Sequence, residues 1–178
     1  GPLRYVFFYL FGFYLLMRSL SLRPAISALG SMLWAFSSYF FIIIAAGHIW
    51  KVNTLGYIPP TIAGLVLAYR GKYLWGCLVT ALFTALQILS NHIQMSYYFA
   101  FLMGFICLAY GVDAVLKHQL KAWGKATAAI VLGGLLGIAA NLPNLYHTYD
   151  YTQYSLRGPS ELSAPAPAAG AEASSRPT

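Results

Sequence analysis

The sequence predicts an all-α fold: a polytopic transmembrane helix bundle of about six membrane segments. Three observations predict it. Of the 178 residues, 59% are hydrophobic and only 8% are charged, whereas a soluble domain carries about 25% charged residues. Apolar runs recur along residues 3–145, divided by short polar turns; crossing hydrocarbon takes about 20 mostly apolar residues. The cations collect in alternate turns, as they do where basic loops stay in the cytoplasm.

The first span covers residues 3–20, rich in Phe, Tyr and Leu. Ser21 to Pro24 form a turn, with Pro24 suited to the first turn of the next helix. Residues 25–46 make a second span, in which Ser37 and Ser38 bond back to the helix. Residues 57–69 are apolar but short and begin with Pro59-Pro60, so the run either tilts across or re-enters from one side. Arg70-Gly71-Lys72 is a tight basic turn. Spans at 73–90 and 95–116 flank the polar Asn91-His92-Ile93-Gln94 cluster. The basic stretch 117–125 reads as a loop that can form an interfacial helix with Trp123 at headgroup level. The last span, 126–145, carries Gly133, Gly134 and Gly137, small residues that let helices approach closely. Residues 1–162 are thus expected to form one transmembrane domain. The Ala/Pro/Ser-rich stretch 163–178 reads as a disordered loop or tail, too poor in apolar surface to offset its ordering entropy.

Counting crossings puts Arg18 and Arg23, Arg70 and Lys72, and Lys117, Lys121 and Lys125 in one set of turns. That set should be cytoplasmic. His48, Lys51, Asn91, His92, Gln94, Asp150, Arg157 and Glu161 then share the opposite side, provided that 57–69 crosses. The net charge of +7 does not indicate nucleic acid, because the aromatics lie within apolar runs and no nucleic-acid motif occurs. Basic loops meeting anionic headgroups account for it. Cys77 and Cys107 lie in apolar segments as structural thiols. A His48–His92 metal pair lacks any HxxxH or HExxH spacing, so neither metal nor other cofactor is expected.

The candidate site follows from chemistry. His48 and Lys51 are three apart and share a helix face if the helix extends so far; both can approach a phosphate. The competing reading is interfacial snorkelling of Lys51. Asn91, His92 and Gln94 either bind a ligand or cap and bridge helices. Arg157 suits bidentate phosphate recognition. Asp150 and Glu161 are weak candidates for a general base. Asp113 pairs with Lys117 at i,i+4.

Taken in order, the motifs GHIWK (47–51), GYIPP (56–60), YRGKY (69–73), NHIQ (91–94) and RGPSEL (157–162) resemble the bacterial YfhO-like membrane proteins, particularly those of Bacteroidetes. The resemblance covers nearly all of residues 3–162. It implies a glycosyltransferase-C-like, multi-pass protein of the bacterial inner membrane, part of the cell-envelope machinery. It further implies transfer of a sugar from a polyprenyl-phosphate carrier on the extracytoplasmic face, with a catalytic carboxylate from a loop this chain lacks. By that resemblance the chain is expected to be a fragment, inactive by itself. Its expected partners are membrane lipids, the polyprenyl-phosphate sugar and the rest of its own full-length chain. His48 and Lys51, then Asn91, His92 and Gln94, then Arg157, Ser160 and Glu161 match the motif positions. Two other readings stand beside this one: a lipid or anionic-solute transporter or flippase, whose ionisable groups should lie near mid-membrane depth, and a non-catalytic scaffold.

Overall fold

A computed structural model of the chain describes residues 3–90, 93–143 and 145–146. Asn91, His92, Asp150, Arg157, Ser160, Glu161 and the stretch 163–178 lie outside the described residues. The chain divides into two compact units, Gly1–Leu142 and Pro143–Thr178. Among its described residues the first holds seven helices: α1 (Leu3–Ser19), α2 (Pro24–Ala35), α3 (Ser38–Ala45), α4 (Ile49–Tyr69), α5 (Tyr73–Leu89), α6 (Ile93–Leu116) and α7 (Leu120–Ala139). No strand occurs among the described residues.

Three stretches among the described residues are long and apolar enough to cross a membrane: Pro24–Ala45, taken through its interruption, Gln94–Leu116 and Leu120–Ala139. Tyr73–Leu89 is apolar but shorter. The exterior is apolar, with Leu33 and Leu74 each 70% exposed and Phe105 66% exposed. A surface of that kind needs lipid or protein against it.

Close contacts fix the direction of each helix. Tyr9 meets Val52, Gly12 meets Gly56 and Pro60, and Arg70 bonds the carbonyl of Ser19. These pairs rise together, so α1 and α4 are parallel. Met17 meets Gly30 while Phe13 stacks on Trp34, making α2 antiparallel to α1. Thr54 meets Ser90 and Gly64 meets Thr80, making α5 antiparallel to α4. The indole of Trp123 bonds Cys107 on α6, and Tyr69 bonds Thr127 on α7, so α7 is antiparallel to both α6 and α4. With α2 and α3 as one interrupted helix, the direction alternates at every step.

The sequence expectation fails at three places. Residues 57–69 are not a short separate segment but the C-terminal part of a 21-residue helix. Pro59 and Pro60 sit inside it, and Pro60 has no N–H to offer the carbonyl of Gly56. That oxygen instead lies against Gly12 of α1, 3.1 Å from where a Cβ would stand. A glycine there admits the oxygen and a Cα–H contact to it. The second difference is the interruption of the 25–46 span at Phe36 and Ser37, where Ser37 is extended (φ −59°, ψ 132°). In an unbroken helix Trp34 and Phe40, six residues apart, would point about a third of a turn from each other. The interruption lets their rings meet at 5.0 Å, with Phe40 4.3 Å from Tyr9. Thirdly, residues 117–125 form no separate interfacial helix. His118 takes φ +55° at a tight turn and α7 starts at Leu120. Trp123 is then turned inward, with its Nε1 donating to the Cys107 carbonyl at 3.1 Å.

Candidate functional site

Both ends of the bundle are now defined. At one lie Arg18, Arg23, Arg70, Lys72, Lys117, Lys121 and Lys125, with Asp113 as the sole carboxylate among the described residues. Asp113 pairs with Lys117 at 2.8 Å, as its i,i+4 spacing predicts. At the other end lie the start of α1, the α3–α4 turn, the end of α5, the start of α6 and the end of α7. Here the described cations are Lys51 and Arg4. Arg4 lies in the first turn of α1, inside the stretch expected as the first span. Its guanidinium lies 4.7 Å over the Tyr5 ring.

His48 and Lys51 owe their placement to the ending of α3. Gly47 takes φ +74°, which frees the chain to reverse. The His48 N–H bonds back to Ile43 and α4 then begins at Ile49. His48 is therefore the N-cap residue, its side chain exposed and making no capping bond. Lys51, half-buried, stands in the first turn of α4. Gly47, His48, Trp50 and Lys51 line a hollow of about 350 Å³. Its two ionisable groups stand at the positive end of a helix, where an anion is favoured. Gln94, in the first turn of α6, is exposed at the same end.

Other polar groups at this end hold the helices together. Thr54, one turn along α4 from Lys51, meets the Ser90 hydroxyl at 2.6 Å. Ser90 also donates to the Gln87 carbonyl. This ties the start of α4 to the residue that immediately precedes Asn91. Asn141 is buried, and its Nδ2 donates to the carbonyls of Ala85 (2.9 Å) and Gly137 (3.0 Å). It clamps α7 to α5. Asn141→Ala should lower stability by roughly 1 kcal/mol, the scale of two interhelical or backbone-directed bonds in lipid, read by thermal unfolding in detergent.

Sequence reasoning missed one polar feature. Thr80, Thr84 and Gln87 lie on one face of α5 at i, i+4 and i+7 and line a second hollow with Thr61 and Ser96. The signal was available as three polar residues at helical spacing inside an apolar span. Among the described residues no group of three or more His, Cys, Asp or Glu could hold a metal ion.

No family model, no curated protein and no solved structure matches the chain.

Proposed function

We propose that the chain is the membrane-embedded part of a protein that handles a polyprenyl-phosphate-linked sugar, a glycosyltransferase-like function in which Lys51 and His48 meet the carrier phosphate. The observation that carries this reading is the hollow at the start of α4. It pairs Lys51 with His48 at the end of the bundle opposite the seven basic residues from Arg18 to Lys125. A departing lipid phosphate gathers negative charge, and a fixed cation beside it lowers the barrier. The resemblance to YfhO-like proteins supports the same chemistry.

On this reading the helices make six crossings of a bacterial inner membrane. The basic end faces the cytoplasm and the Lys51 end faces outward. Asn91, His92, Gln94 and Arg157 are the further candidates for binding phosphate, and Asp150 and Glu161 are the candidates for the carboxylate that activates the acceptor. The end position of His48 and Lys51 favours this over a transporter, where ionisable groups belong near mid-depth. Unlike a scaffold, the protein should bind polyprenyl-phosphate sugars directly.

In the full-length protein, Lys51→Ala should slow glycosyl transfer on the order of a hundredfold, with Lys51→Arg recovering part of it. Arg157→Ala should have a similar effect. Unaltered turnover in both alanine variants would end the proposal.

A further inference from the structure

The hollow beside Gln87 is separate from the one at Lys51 and has a different chemistry. It measures about 350 Å³, within the range of small-molecule sites. One wall is the Thr80–Thr84–Gln87 face of α5. The others are Ser96, Phe99, Ala100 and Met103 of α6 and Ile130, Gly134 and Ile138 of α7. It exists because α6 packs on α7 and α4 but hardly touches α5. Gly134 faces open space, since a Cβ added there would meet nothing within 4 Å.

Two buried polar atoms in this wall have no hydrogen-bond partner, Thr80 Oγ1 and Gln87 Nε2. Packing accounts for the first: Thr80 Oγ1 is pressed against α4, 2.6 Å from where a Cβ on Gly64 would stand. The Gln87 amide has no such account. Its side chain is 97% buried (3% exposed) and its Nε2 is an unused donor, a state that costs about 1–3 kcal/mol unless something accepts from it.

We propose that this hollow holds one acyl chain of an ester-linked membrane lipid, with Gln87 donating to the ester carbonyl. Four observations select that ligand. No ionisable side chain lines the hollow, which disfavours a charged ligand. Most of the lining beyond Gln87 is apolar, from Ile88, Phe99, Met103, Ile130 and Ile138, so the ligand needs a hydrocarbon part. Gln87 is two residues from the end of α5, about 3 Å along the axis. With α5 set across a bilayer, that end falls at the boundary between hydrocarbon and headgroups, where glycerolipid esters lie. Thr80, seven residues deeper, is about 10 Å further in, giving room for a chain to descend. The proposal does not depend on the glycosyltransferase reading.

The test reconstitutes the protein with a diacyl phosphatidylglycerol or with its dialkyl ether analogue, which has the same chains but no ester carbonyl. Retained lipid is then counted by native mass spectrometry. The wild type should retain one diacyl lipid roughly tenfold more strongly than the ether lipid, about one hydrogen bond in free energy. Gln87→Leu should erase that preference, and Gly134→Phe should expel both lipids by filling the space. Lipid-free Gln87→Leu should unfold no earlier than wild type, since it removes an unpartnered donor. Equal retention of the two lipids by the wild type, or retention untouched by Gly134→Phe, would overturn the proposal, as would finding the hollow occupied by water alone.

Discussion

Gly64→Leu is expected to pry α4 from α5 and destabilise the bundle by about 3 kcal/mol, the upper part of the range for overpacking. A Cβ at Gly64 would stand 2.6 Å from Thr80 Oγ1 and 2.8 Å from the Thr80 backbone nitrogen. The second atom is backbone, so no rotamer change relieves the clash. The contact is reciprocal: a Cβ at Gly76 would come within 2.7 Å of the Ala68 nitrogen. Lipid tails are as apolar as leucine, so helices in a bilayer associate through close packing, and small residues at the seam are what permit it. Gly104→Leu provides the control, because nothing lies within 4 Å of a Cβ there. Thermal unfolding in detergent should show a large drop for the first variant and almost none for the second. Comparable melting of both would mean that the α4–α5 seam is not where the stability resides.

Tyr9→Ala should cost about 3–5 kcal/mol, the scale for truncating a buried aromatic. Tyr9 is 1% exposed, its ring lies 4.3 Å from Phe40, and its hydroxyl donates to the Val52 carbonyl at 2.8 Å. Truncation opens a cavity among α1, α3 and α4, and releases the first turns of α4 that carry Lys51. Tyr9→Phe keeps the packing and loses the hydrogen bond alone, so it should cost about 1 kcal/mol. The gap between the two variants separates packing from hydrogen bonding. Near-equal losses would show that the bond to Val52, rather than the ring, anchors this corner. Tyr9→Ala should also reduce any activity that depends on Lys51, through position rather than chemistry.

Much of the architecture is written in the order of residues. A composition with 8% charge leaves an apolar exterior that needs lipid or protein against it. Runs of the right length separated by Arg-Gly-Lys and similar turns dictate helices that alternate in direction. Gly47 and Gly71, at φ +74° and +83°, mark two of the reversals, because left-handed backbone suits glycine. Even the i,i+4 pairing of Asp113 with Lys117 followed from spacing alone.

Other features could not be read that way, and the reason is physical. Hydropathy reports how a residue partitions from water. Inside a bilayer an apolar face has nearly the same environment against lipid as against another helix, so the pattern is silent about neighbours. Tertiary contacts alone decided that the 25–46 run breaks at Ser37, where doing so brings Trp34 and Phe40 together over α1. They also decided that α4 runs through Pro59 and Pro60, because Gly12 receives the carbonyl that Pro60 leaves without an N–H. And they isolated Gln87, whose buried amide has a chemical meaning only once α6 is known to stand clear of α5.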